Sequence, residues 1–84
     1  MKLIFSDNAW ADYLYWQKQD KHMGERINRL IREIQREPFA GVGKPEALKH
    51  GLSGYWSRRI TEEHRMVYRV EGNALLIAQL RFHY

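Results

Sequence analysis

Between Lys44 and Tyr84 the chain carries Lys44, Glu46, Lys49, Arg58, Arg59, Arg65, Arg69, Arg81, His83 and Tyr84, with seven Lys and Arg against four Glu over that stretch. These residue types suit the cleavage of a phosphodiester. RNA brings its own nucleophile, the 2′-hydroxyl, so an enzyme need only take that proton, protonate the leaving 5′-oxygen and stabilise the extra charge between. One carboxylate or imidazole, one acid and two or three cations suffice. Glu46, Arg65, His83 and Tyr84 are the candidates for the chemistry, and Lys44, Lys49, Arg58, Arg59, Arg69 and Arg81 for holding phosphate. Each also has a plainer reading. Glu46 suits the first turn of a helix, Arg65 suits an ion-pair cluster with His64 and Glu62–Glu63, and His83 and Tyr84 suit a solvated or packed chain end. Ser57 has no His–Asp pair to activate it. His22, His50, His64 and His83 show no metal-ligand spacing, so no metal or cofactor is expected.

The convergence of these residues depends on strands. Alternate residues of a strand point to opposite faces. Over Tyr55–Ile60, His64–Val70 and Leu75–Tyr84 the even positions are mostly apolar and the odd ones turn polar and basic, with Arg58 and Val67 as the exceptions. The connections, Thr61-Glu62-Glu63 and Glu71-Gly72-Asn73, are short, which predicts an antiparallel meander. In a meander the end of the first strand, the start of the second and the end of the third share one edge. Arg59, Arg65 and His83 occupy those places.

Upstream, Lys2–Phe5 reads as a short strand. Ser6, Asp7 or Asn8 can cap a helix with Trp10, Tyr13, Leu14 and Gln17 on one stripe, and Asp20 can cap a second helix with Met23, Ile27, Leu30, Ile31 and Ile34 on its apolar face. Pro38 ends that helix. The charged face opposite is expected to be solvated. Phe39–Pro45 is a loop without Walker spacing, and Pro45–His50 reads as a single helical turn with Pro at its first position, which would set Glu46 and Lys49 one turn apart. The whole predicts one domain over residues 1–84 with an α+β fold: strand, two helices, loop, then a three-stranded antiparallel meander, with the helices packed on one face and the basic face open.

Composition narrows the class. At 84 residues, three Trp, five Tyr and three Phe must supply most of the burial. No cysteine excludes disulfides and thiolate metal sites, and fits a cytoplasmic protein. A net charge of +4 and a pI near 9.6 favour an anionic partner. No stretch reads as a signal peptide or a membrane span, so no membrane association is expected.

Several separated blocks, Lys44-Pro45-Glu46, Leu48-Lys49-His50, Leu52-Ser53-Gly54, Trp56-Ser57-Arg58-Arg59-Ile60, Glu63-His64-Arg65, Val67-Tyr68 and Arg81-Phe82-His83-Tyr84, together resemble the YoeB family within the RelE superfamily of toxins from bacterial toxin–antitoxin modules. The resemblance covers the chain end to end. Gln79-Leu80 and Phe82 depart from the family pattern at positions away from the chemistry. What the resemblance implies is a ribosome-dependent endonuclease that cuts mRNA in the A site of the 70S ribosome without a metal. In that scheme Glu46 is the general base, His83 the general acid, Arg65 stabilises the phosphorane-like transition state, Lys49 and Arg59 bind phosphate or assist charge stabilisation, and Tyr84 orients the terminus and the reacting groups. It also implies toxin homodimers and a YefM-like antitoxin whose acidic segment covers the basic face. Two other classes share the features: a ParE-like inhibitor of DNA gyrase on the same fold, and an RNA-binding module that cuts nothing.

Overall fold

The computed structural model describes residues 1–82. Strand β1 (Lys2–Phe5) leads into helices α1 (Asp7–Gln19) and α2 (Lys21–Arg36). After a loop come β2 (Glu46–Ala47), a single 3₁₀ turn (His50–Leu52), β3 (Trp56–Arg59), β4 (Arg65–Glu71) and β5 (Ala74–Gln79). The sheet order is β1-β5-β4-β3-β2. The expected meander is present as β3, β4 and β5, and β1 joins it in parallel with β5. The helices cover one face, as expected for this α+β architecture.

The caps explain where the helices begin. Ser6 Oγ accepts the Ala9 N–H at 3.0 Å, and Asp20 Oδ1 accepts that of Met23 at 3.2 Å. In α2 the predicted stripe, Met23, Ile27, Leu30, Ile31 and Ile34, is buried. Helix α1 is rotated from the expected stripe: Trp10 and Leu14 are 48% and 49% exposed, while Ala9, Asp12 and Trp16 face the core. Asp12 hid this face from an apolar pattern. Its Oδ2 accepts the Leu80 N–H at 3.0 Å and Trp16 Nε1 donates to the Leu80 carbonyl at 2.9 Å, so α1 closes the backbone of the chain just past β5.

Two further expectations are corrected. Pro45–His50 is not a helical turn. Glu46 pairs with Ser57 and Ala47 with Trp56, so this segment is an edge strand. A lone helical turn closes few hydrogen bonds for the residues it fixes, whereas the open edge of β3 offers ready-made partners. In β5, the inward residues are Leu75 and Ile77 and then Leu80, rather than an unbroken even series. Tyr68 pairs with Ile77 but Val67 with Gln79, so Ala78 is a bulge that reverses the parity. The Ser6 N–H donates to the Ile77 carbonyl and Ser6 Oγ to that of Ala78, both at 2.9 Å, fastening the β1–α1 junction there.

Arg58 lies on the core side, 1% exposed. Its Nε donates to the Tyr68 hydroxyl at 3.1 Å, Nη1 to the Val42 carbonyl at 3.1 Å, and Nη2 to the carbonyls of Glu37 and Ala40 at 2.6 and 2.8 Å. The Tyr68 hydroxyl in turn donates to the Pro38 carbonyl at 2.7 Å. Replacing Arg58 by Ala strands these acceptors and is expected to cost about 3 kcal/mol or more, read from urea unfolding. Arg58→Lys should recover only part of it, because an ammonium cannot reproduce the planar fork.

Burial pushes the Tyr68 phenol above its ordinary value of 10.0, with the Arg58 guanidinium partly opposing. The folded state therefore holds this proton more tightly than the unfolded chain. That stabilisation is fully present below about pH 10 and is lost as pH rises through the raised folded value. Wild-type stability should fall more steeply in alkali than that of Tyr68→Phe, which will be less stable at neutral pH because Pro38 and Arg58 lose a partner.

Candidate functional site

The face of the sheet away from the helices is assembled from cross-strand rows. Directly opposite residues share a face, so the pairs Glu46–Ser57, Ser57–Val67 and Val67–Gln79 make one row across β2, β3, β4 and β5. Arg59 and Arg65, opposite each other, form the next row. On the other side Arg69 pairs with Leu76, and its guanidinium sits 5.7 Å from the Tyr55 ring. Glu46 thus lies in a row flanked by cations, with Arg65 two strands away and one row along. Sheet spacing sets their Cα atoms about 12 Å apart, a gap that a carboxylate and a guanidinium reaching inward can narrow around one phosphate group.

Arg65 is held by its own turn. Nη1 donates to the carbonyls of Thr61, Glu62 and His64 at 2.7, 2.9 and 3.3 Å. Nε and Nη2 have no partner among the described residues, which leaves half of the fork for an anion. Arg59 is exposed, and its Nη1 lies 3.5 Å from Glu62 Oε1. The loop before β2 is fixed by Gly43, whose carbonyl accepts the Arg59 N–H at 2.7 Å. Its φ is +84°, and a Cβ there would sit 3.1 Å from the Arg59 carbonyl oxygen, so only glycine fits without strain. Lys44 follows, exposed at the same end of the sheet.

Three placements differ from the sequence reading. Arg58 is not on the open face: its donors are committed to the interior, so it is structural rather than a phosphate contact. Arg81 turns to α1, with its guanidinium 3.8 Å from the Tyr15 ring centre and 5.7 Å from that of Trp16. That stack, rather than a sheet row, fixes it. Lys49 is exposed, but the chain is extended at that residue (φ −122°, ψ 175°), so it does not share one helical turn with Glu46. His83 and Tyr84 lie outside the described residues. A residue that pattern reading passed over is His64, which is buried and joined to Phe82. Its place in an otherwise apolar even series was the available signal. Among the described residues no group of three or more His, Cys, Asp or Glu could hold a metal, and no helix is long and apolar enough to cross a membrane.

The α+β fold, a helix pair on one side of a mixed five-stranded sheet, matches that of RelE-like toxins. The structure of a YoeB/ParE toxin from Agrobacterium tumefaciens is similar over 100% of both chains, with a TM-score of 0.97 and 57% identity. The chain belongs to the family of YoeB-like toxins of bacterial type II toxin–antitoxin systems, whose model matches residues 5–84. Toxin YoeB of Escherichia coli strain K12 is 62% identical over 84 residues, all of each chain. A heterotetrameric YoeB–YefM complex from Staphylococcus aureus contains a chain 47% identical, matched over 100% of this chain and 98% of that one with a TM-score of 0.93.

The open face makes a direct prediction about binding. Association of the isolated protein with a short RNA oligonucleotide should weaken steeply with salt, and Arg69→Ala should lower the log–log slope by about 0.7 while leaving the fold intact. Arg58→Lys, measured on folded protein, should leave that slope unchanged, since its charge is internal.

Proposed function

We propose that this toxin is an endoribonuclease that cuts mRNA in the ribosomal A site. The observation that carries the reading is the sheet face away from the helices: its central row, Ser57 and Val67, is buried, but the edge residue Glu46 is exposed and lies in the row next to Arg65, itself braced by three carbonyls and directly opposite the exposed Arg59. In this reading Glu46 takes the proton of the 2′-hydroxyl, whose oxygen attacks the adjacent phosphorus. Charge gathers on the non-bridging oxygens, where Arg65 and Arg59 donate. His83 gives its proton to the departing 5′-oxygen, leaving a 2′,3′-cyclic phosphate and a free 5′-hydroxyl. Lys44, Lys49 and Arg69 hold neighbouring phosphates and Tyr84 orients the acid. The reaction needs no metal, because the nucleophile is intramolecular and the charge is met by guanidinium groups.

Donors on a sheet face do not by themselves hold the 2′-oxygen, phosphorus and 5′-oxygen of a flexible RNA in line. The ribosome would supply the missing geometry by fixing the message in line, and we assign to it and the mRNA the role of obligatory partners in the cytoplasm. The antitoxin is taken to be a YefM-like protein whose acidic segment competes for the same cations, in keeping with the S. aureus YoeB–YefM complex. Homodimerisation is proposed on the precedent of a YoeB dimer from S. aureus, also at 47% identity and a TM-score of 0.93.

Primer extension on a defined mRNA, with and without programmed 70S ribosomes, tests the reading. Wild type should cut within the A-site codon only when ribosomes are present. His83→Ala and Glu46→Gln should bind ribosomes as wild type does yet cut about 10² to 10⁴ times more slowly. An intact message with folded, antitoxin-free protein would sink the proposal, and loss of DNA integrity on induction would then favour gyrase inhibition.

A further inference from the structure

His64 has no part in the chemistry proposed above, yet the described end of the chain is built against it. Its buried ring meets Trp16 edge-on at 4.9 Å and Phe82 at 5.1 Å. Nδ1 accepts the backbone N–H of Phe82 at 2.7 Å. A nitrogen that accepts carries no proton, so the hydrogen of this imidazole is on Nε2, which faces Glu63 Oε1 at 3.6 Å.

Phe82 needs such a grip. Its φ is +59°, in the left-handed region that a bulky residue rarely adopts, and its side chain is exposed, so burial of the ring does little to offset the strain. Polar partners hold it at both ends. The N–H goes to His64 Nδ1, while the carbonyl accepts the Arg65 N–H at 3.0 Å and Gln79 Nε2 at 3.3 Å. Two consecutive residues, His64 and Arg65, therefore clamp one peptide unit on each side. Arg65 belongs to the phosphate site, and the residue after the clamped one is His83.

We infer that His64 is a positioning residue for RNA cleavage: by accepting the Phe82 amide through Nδ1 it holds the left-handed turn at Phe82, the residue that immediately precedes His83 in the sequence. The inference rests on the assignment of His83 as general acid. If His64 only fills space, any side chain of similar volume serves. If it positions, function follows one acceptor atom. His64→Asn keeps an acceptor at the same number of bonds from the backbone, whereas His64→Leu keeps bulk and removes the acceptor.

The test is single-turnover cleavage on programmed ribosomes by wild type, His64→Leu, His64→Asn, His83→Ala and the His64→Leu/His83→Ala double variant, with thermal unfolding and ¹⁵N imidazole spectra on each protein. His64→Leu should slow cutting by about 10²-fold, the effect of a small misplacement of a reacting group, without loss of ribosome binding. His64→Asn should recover most of that rate. The double variant should be no slower than His83→Ala alone, since two residues acting through one group are not additive. The spectra should show His64 with its proton on Nε2. Wild-type rates from His64→Leu, its full penalty persisting on top of His83→Ala, or a proton on Nδ1 would each overturn the inference while leaving the nuclease assignment standing. Should His64→Leu fail to fold, His64→Gln, which moves the polar group one bond outward, replaces it: slow cutting is expected and an undiminished rate overturns. A wild type that cuts nothing removes the nuclease assignment, and this inference with it.

Discussion

A guanidinium taken out of water is costly unless its donors are met. Arg58 meets that cost entirely with oxygen dipoles, the hydroxyl of Tyr68 and the carbonyls of Glu37, Ala40 and Val42. The benefit runs the other way too. The segment between α2 and β2 has no ladder of its own, and the carbonyls it turns toward the sheet find their donors in the fold. One side chain on β3 and one hydroxyl on β4 satisfy four of them, Pro38 included. The loop is thereby tied to the centre of the sheet, Gly43 lies flat against the Arg59 backbone, and the chain emerges as β2. The location of Glu46 is a consequence of an arginine that never touches the open face.

The other end of the site depends on a similar device. Ala78 inserts one residue into β5, and the bulge lets Ile77 and Leu80 both face the core while Gln79 joins the row of Ser57 and Val67 on the other face. Asp12 and Trp16 then close both backbone groups of Leu80, and the Arg81 guanidinium rests on Tyr15. Helix α1 thus steers the strand after its ladder has ended. Its polar core residue is as much a part of the site's frame as the apolar stripe of α2 is of the core.

These two devices mark the boundary of what the sequence discloses. The Asp20 cap, a first cap among Ser6, Asp7 and Asn8, the α2 stripe, the meander and the shared edge of Arg59 and Arg65 follow from period and turn length, because each is decided by residues close along the chain. Arg58 broke the parity of its strand, yet nothing local could say whether it faced water or a cage of carbonyls assembled from residues 16 to 21 positions upstream. Glu46 read as helical because Pro45 and Ala47 allow a first turn, and the edge of β3 outweighed that weak preference. The bulge was invisible for a like reason: Leu75 through Leu80 is apolar on nearly every residue, so alternation cannot report which side is buried. His64 matched the inward parity of β4, and the partner that gives it meaning lies 18 residues away.

The open face and the core side use the same residue type to opposite ends. Arg59 and Arg65 stand directly opposite each other, an arrangement of like charges that is destabilising to a sheet. Nothing in the packing of β3 on β4 requires it. The strain is kept small because Glu62 approaches Arg59 and three carbonyls share Nη1 of Arg65, but neither partner consumes the outward donors. Arg58 spends four hydrogen bonds on oxygens inside the fold, whereas the Arg59–Arg65 pair places positive charge at one end of the sheet, beside the turn between β3 and β4. An anion lodged between them relieves the repulsion and completes the fork. The same residue type thus does opposite work on the two faces: inside, Arg58 ties the loop before β2 to the sheet, and outside, the Arg59–Arg65 pair keeps its charge toward solvent, where a phosphate would relieve the repulsion if the proposed reaction takes place there.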